Sequence, residues 1–241
     1  MNIEIIKKTK NYLIINKPAG LLVHSTKNST EETLSDYLIK KYPKIKSVGE
    51  ESNRHGIVHR LDKDVSGLMV IALTQKSYLN LKEQFKNRTI GKHYKALICG
   101  HLPEKHGTIS FPIKRSRKGF KMAAVPKSYK SLENDNENEK LREAISKYKV
   151  IKEYTNFSLV DVKIETGRTH QIRVHFLALN TPLAGDKLYF TKNSLKVSKK
   201  LNLNRIFLYA NELSFLDLKN KKQNFKIETP ENLNRKLDLI K

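Results

Sequence analysis

His59-Arg60-Leu61-Asp62-Lys63-Asp64-Val65-Ser66-Gly67-Leu68 joins two apolar runs, Gly56-Ile57-Val58 ahead of it and Leu68-Met69-Val70-Ile71-Ala72-Leu73 after it. Runs this short, separated by a polar turn that contains glycine, read as buried strands rather than as one helix. Asp62 then stands where a strand ends and a loop begins, on a rigid support and open to a cleft. Arg60, two residues earlier, can keep a carboxylate ionised or bind an anion. Aspartate is also a common turn former, so the stretch alone leaves a capping role and a chemical role both open.

Outward from this stretch the pattern is of many strands and few helices. Upstream, residues 3–6 and 12–15 read as strands, the second stopped by Lys17-Pro18-Ala19-Gly20. Thr30 is placed to cap a helix with Leu34, Tyr37 and Leu38 on its apolar face, ended by Pro43. Downstream, Thr74 is placed to cap a helix carrying Tyr78, Leu81 and Phe85, and residues 93–100 read as a strand carrying Tyr94. Residues 109–113 and 121–125 flank the basic turn Lys114-Arg115-Ser116-Arg117-Lys118-Gly119, and two strands follow near 144–152 and 157–164. They lead to Glu165-Thr166-Gly167-Arg168-Thr169-His170-Gln171-Ile172-Arg173-Val174-His175. Ile172, Phe176 and Leu179 fit a 3.6-residue period, so a helix running to Leu179 is predicted, capped by Thr169 with Gly167 in the turn that leads into it. Arg173 lies in its first turn, in the positive field of a helix end. Leu183-Ala184-Gly185-Asp186 reads as a turn, residues 207–210 and 213–216 as a strand pair, and a last helix starts near Glu231.

These elements give an α+β class, with a mixed, largely antiparallel central sheet and flanking helices. Without a Pro/Ser/Gly linker or an internal repeat, one domain over residues 1–241 is expected. Residues 127–143 are expected to be a flexible insertion, because Ser131 to Lys140 (SLENDNENEK) is acidic and aperiodic.

The net charge of +23 attracts polyanions. An AT-rich genome also enriches lysine, but it raises asparagine as easily and does not by itself create such an excess over acidic residues. Nucleic acid is therefore the expected partner. No apolar run approaches the roughly 20 residues of a membrane span, and strands at the N-terminus leave no targeting segment. Cys99, in Ala96-Leu97-Ile98-Cys99, reads as a buried thiol, which leaves no disulfide or thiolate metal site. A cytoplasmic monomer is the expectation. His59, His170, His175, Asp62 and Asp64 are the imaginable metal ligands, yet His170 and His175 stand about 140° apart around a helix, and no metal is expected. Neither a Gly-x-Ser-x-Gly elbow, a Walker loop nor a dinucleotide fingerprint is present, so no nucleotide cofactor is expected.

The motifs together resemble one family. HRLDKDVSGL is similar to the catalytic motif of the RluA-type pseudouridine synthases. NKPAGLLVH (Asn16 to His24), KHYKALICG (Lys92 to Gly100), ETGRTHQIRVH (Glu165 to His175), PLAGDKLY (Pro182 to Tyr189) and LYANELSF (Leu208 to Phe215) resemble its other blocks, in the family's order. The resemblance implies isomerisation of uridine to pseudouridine in rRNA, tRNA or both, without cofactor or metal. It implies Asp62 as the catalytic aspartate, as nucleophile at C1′ or base at the ribose, and Tyr94 as the tyrosine that stacks on the base. It implies Arg173 as the arginine paired with the aspartate, and Arg60 as the residue that fills the space of a flipped-out base. His59, Leu61, Lys17, His24, Arg115, Arg117, Arg168 and His170 are the further candidate RNA contacts, each open to a structural role instead. Val65 stands where the family usually has threonine, Tyr209 where histidine is common, and Leu216-Asp217 where His-Pro is usual. Few residues precede the first motif, so no S4-like domain is expected. A non-catalytic RNA-binding or ribosome-assembly factor on the same scaffold is the alternative, and a metal-dependent ribonuclease a third.

Overall fold

A computed structural model describes residues 3–25, 31–50, 54–116, 119, 121–126 and 141–240. In chain order the strands are β1 (Glu4–Lys8), β2 (Tyr12–Lys17), β3 (Ser66–Ala72), β4 (Gly91–Cys99), β5 (His106–Ile109), β6 (Ile113–Arg115), β7 (Met122–Ala124), β8 (Ser146–Tyr154), β9 (Phe157–Ile164), β10 (Leu208–Leu216) and β11 (Lys222–Lys226). The helices are α1 (Leu34–Lys41), α2 (Gln75–Lys86), α3 (Gln171–Ala178), α4 (Lys192–Lys200) and α5 (Glu231–Leu237). The class is α+β with mainly antiparallel pairing, as the sequence leads one to expect. Contacts divide the chain into two compact units, Met1–Lys92 with Tyr209–Glu228 and His93–Leu208 with Thr229–Lys241. Two of the three boundaries fall inside strands, β4 and β10, so no change of composition marks them, and the sequence reads as one domain.

In the first unit β2 pairs antiparallel with both β1 and β3, and β11 pairs antiparallel with β10. β10 joins β3 in parallel at Tyr209–Ser66 and Ala210–Gly67. Every residue of β3 is buried, which is why its sequence is a continuous apolar run rather than an alternating one. Gly67 has φ +123°, and a Cβ there would stand 2.3 Å from the Ala210 carbonyl oxygen, so the close approach of β10 requires glycine. Thr74 caps α2 by accepting from Ser77 N–H. Thr33 caps α1, where it forms a reciprocal capping box with Asp36; Thr30, the residue expected there, lies outside the described residues.

Two expectations change here. The run at 56–58 forms only a single bridge, Ile57 to Ile71, instead of a strand. Asp62 therefore rides on an extended segment ahead of β3, not on a hairpin. The runs at 207–210 and 213–216 form one strand, β10, because Asn211 is buried within it and its carbonyl accepts from Ile227 N–H at 2.9 Å.

In the second unit β9 pairs antiparallel with β4 and β8, and β8 with β5. Helix α3 covers the face of this sheet that carries Ser146 and Tyr148. His175 Nδ1 lies 3.0 Å from Ser146 Oγ, and Tyr148 meets Phe176 edge to face at 6.1 Å. The helix begins at Gln171, and its N-cap is His170 in the left-handed region (φ 55°), one residue after the expected Thr169. The cause is the buried Gln171 amide. Its Oε1 accepts from Thr166 Oγ1 (2.7 Å) and Arg168 N–H (3.0 Å), and these bonds hold residues 166–168 in a turn. Lys114 and Arg115 belong to β6, so the hairpin turn is shorter than the basic run. Helix α4, closed by a Thr191–Ser194 capping box, was not expected from the sequence. Cys99 is buried and reduced. The proposed insertion falls largely on residues 127–140, outside the described set.

Candidate functional site

The first unit holds Asp62. Its carbonyl accepts from Val65 N–H (3.2 Å), and the next carbonyl, that of Lys63, accepts from Gly20 N–H (2.8 Å). Lys63 O also takes a hydrogen bond from Lys17 Nζ (3.1 Å), which gives its other donors to Pro18 O (2.9 Å) and Leu21 O (2.8 Å). Lys17 is fully buried. A buried ammonium is tolerable only when its donors are matched, and here they are spent on three carbonyls. Lys17 thus ties the 18–21 turn to the Asp62 loop, the structural role that the sequence left open beside an RNA contact.

His59 takes a structural role of the same kind. Its ring stacks on Phe85 at 4.7 Å, and its Nε2 accepts from Val70 N–H at 3.1 Å. Burial, helped by the Lys92 charge, pushes its pKa down to about 3. The ring is neutral, carries its proton on Nδ1, and fastens the segment before Asp62 onto β3. Leu61 and Val65, on either side of Asp62, are buried; Asp62 itself is half-buried. Arg60 is exposed, and its Nη1 lies 3.1 Å from His24 Nε2. Guanidinium only donates, so His24 Nε2 is the acceptor, and these two expected RNA contacts sit together.

The second unit holds Tyr94 and Arg173. Tyr94 is buried in β4 opposite Val162. Arg173, third residue of α3, is buried and bidentate on Asp186, with Nε–Oδ2 2.7 Å and Nη2–Oδ1 2.8 Å. Asp186 Oδ1 also accepts from Leu188 N–H (2.8 Å) and Tyr189 N–H (3.0 Å). The guanidinium carbon stands 5.0 Å over the Tyr189 ring. Gly185 (φ +75°) places Asp186, since a Cβ there would come within 2.3 Å of the Arg205 carbonyl oxygen. The sequence reading treats Asp186 as a turn residue. A helix that buries an arginine demands a carboxylate, but its partner lies 13 residues on and only the fold brings it in.

Tyr189 Oη accepts from Met122 N–H (2.8 Å), in β7, and bonds with His170 Nδ1 (2.8 Å). His170 therefore serves the same network as Arg173. Arg168 Nε donates to Glu143 O (2.9 Å), and the exposed Arg115 donates to Gly119 O (2.7 Å) across the β6–β7 tip. Arg117 lies outside the described residues. Among the described residues, no three histidine, cysteine or acidic side chains converge as metal ligands would, and no helix is long and apolar enough to cross a membrane. The chemistry on offer is that of a carboxylate, a phenol and a guanidinium.

Comparison with known proteins points the same way. The sequence profile of RNA pseudouridylate synthases matches residues 11–178. An uncharacterised RNA pseudouridine synthase of Mycobacterium bovis is 37% identical over 211 residues, 88% of this chain and 64% of that protein. Ribosomal large subunit pseudouridine synthase D of Zymomonas mobilis is 32% identical over 235 residues, 96% of this chain and 70% of that protein. Human RNA pseudouridylate synthase domain containing 4 superposes with a TM-score of 0.74 at 25% identity, covering 99% of this chain and 94% of that one. The chain thus spans 64% of the length of the Mycobacterium relative and 60% of an Aquifex aeolicus one. Because the profile match encloses Asp62, Tyr94 and Arg173 and the relatives share about a third or more of their aligned residues with it, this chain belongs to the RNA pseudouridylate synthase family.

Proposed function

We propose that the chain isomerises uridine to pseudouridine within RNA, with Asp62, Tyr94 and Arg173 as its catalytic residues. The observation that carries the reading is the family match from residue 11 to residue 178, which includes all three. In this reaction the C1′–N1 glycosidic bond breaks, the uracil turns while held, and C5 bonds to C1′. C5 loses a proton and N1 gains one, so nothing is consumed. Asp62 acts at the ribose, as nucleophile at C1′ or as base. Tyr94 packs on the base. Arg173, whose charge Asp186 sustains inside the protein, supplies a fixed cation for charge developing on the base. The target must leave the RNA stack, and Arg60, exposed beside His24, takes its place. Large-subunit rRNA is the first substrate to test, because relatives are named for it, with tRNA second. A cytoplasmic monomer without cofactor fits this chemistry.

The test is tritium release from [5-³H]uridine-labelled rRNA and tRNA transcripts in the presence of EDTA, with Asp62→Asn alongside. Release by the wild type and none by the variant is expected. RNA binding without release would instead favour a non-catalytic assembly factor, and cleaved RNA a nuclease.

A further inference from the structure

The antiparallel register of the second unit sorts its side chains onto two faces. Tyr94, Val162, Ser146 and Tyr148 share the face that α3 covers. The opposite face carries Lys95 on β4, Lys163 and Asp161 on β9, and Lys147, Lys149 and Lys152 on β8. Lys147, Lys149, Lys152 and Lys163 are exposed, and Lys95 and Asp161 half-buried. The backbone positions that carry these lysines stand about 4.8 Å apart across strands and about 6.8 Å apart for alternate residues along them.

Its wiring is poor for a face whose only role is to be solvated. Lys147 stands directly opposite Lys163 in the β8–β9 register, and like charges so placed destabilise a sheet. Among the described residues, two carboxylates pair with lysines of this face. Glu165 pairs with Lys147 at 2.5 Å. Asp161 sits between His93 Nδ1 (3.0 Å) and Lys95 Nζ (3.6 Å). Burial raises the Asp161 pKa, but the His93 hydrogen bond and the His93 and Lys95 charges outweigh it and hold the carboxyl below its usual range. The face keeps a net positive charge on a rigid, hydrogen-bonded support.

We propose that this lysine face is a second RNA-docking surface, which grips the phosphate backbone of a helical part of the substrate on the side of the sheet opposite Tyr94. The proposal rests on the reading that the substrate is RNA. A flat array of flexible ammonium groups has no means to read base edges, so it supplies affinity and placement and leaves site choice elsewhere.

The test compares Lys147→Gln/Lys163→Gln with the control Lys222→Gln/Lys226→Gln, two exposed lysines of β11. The probe is a fluorescein-labelled RNA duplex of about 20 base pairs, titrated by anisotropy across a salt series. The face variant is expected to bind about threefold to tenfold more weakly near 0.15 M salt. The magnitude of its log Kd against log salt slope should fall by about two, one for each phosphate no longer neutralised. The control should keep the wild-type slope. The melting temperature of the face variant should be no lower than wild type, because a like-charge pair has been removed. Equal weakening in both variants, or in neither, overturns the surface; tritium release by the wild type in the same preparation then leaves the isomerase reading standing. No duplex binding and no tritium release by the wild type overturns both.

Discussion

Asp186 grips Arg173 through two parallel hydrogen bonds while both side chains are buried, and two backbone N–H groups complete the carboxylate's shell. Buried ion pairs repay their desolvation only with geometry of this kind. On the proposed mechanism Asp186 acts through Arg173, as a positioning residue. Asp186→Asn keeps the shape but leaves a buried guanidinium with half a partner. It should destabilise the protein by about 3 kcal/mol, in the range for breaking one side of a buried pair. At a temperature where the variant is still folded, kcat should fall at least tenfold while RNA affinity holds. Urea unfolding, single-turnover kinetics and anisotropy check the three parts; loss of affinity with intact kcat would remove Asp186 from the catalytic apparatus.

Lys17 gives a contrasting case. If its ammonium braces carbonyls instead of phosphate, Lys17→Met strips the donors from Pro18, Leu21 and Lys63 carbonyls without emptying the space. Stability should drop by about 2 kcal/mol or more. The salt slope of RNA binding should not change, whereas a phosphate contact would lower it by about one.

Gly67→Ala should be among the most damaging single-atom-scale changes in the chain. The added Cβ meets Ala210 backbone at 2.3 Å and φ is +123°, so β10 must shift away from β3. A loss of about 3 kcal/mol or more is expected, read as a lower urea midpoint. Hydrogen exchange should quicken at the β3 amides first.

Acid should weaken the fold through His175. It is fully buried; Nε2–H donates to Phe111 O (3.0 Å), and Nδ1 accepts from Ser146 Oγ (3.0 Å), which itself accepts from Gln171 Nε2 (3.0 Å). Burial lowers its pKa to about 4. A folded pKa below the unfolded value means the unfolded chain takes up the proton first. The stabilisation is therefore complete above about pH 6.5 and is lost as pH falls toward 4, a difference of about 3 kcal/mol. His59 acts in the same direction. Unfolding free energy measured from pH 7 to pH 4 should fall, and His175→Gln should flatten the slope over that interval.

How much of this is legible in the sequence depends on range. β3 and α2 are written in local pattern, a continuous apolar run and a Thr-capped amphipathic repeat. The reaction class is carried by ordered motifs. Helix α3 is legible in the 3.6-residue spacing of Ile172, Phe176 and Leu179, although six of its eight residues are buried. Its start is decided by the Gln171 side chain, which no propensity records. Lys17, His59 and Asp186 needed the fold itself, because a basic residue in a motif looks alike whether it faces phosphate or three carbonyls.

The parallel pairing of Gly67 with Ala210 also sets a clock. A ribosome adding about 5–20 residues per second needs roughly ten seconds or more to travel from one to the other. Until then the strand that follows Asp62 has one neighbour, β2, and an open apolar edge. The second unit's sheet, β4, β9, β8 and β5, is complete in sequence long before residue 209 emerges. The nascent chain therefore waits with Asp62 on the unfinished half, and an aggregation-prone edge is exposed for that interval. Ribosome-stalled chains ending before and after residues 209–216 should differ sharply in chaperone crosslinking to β3.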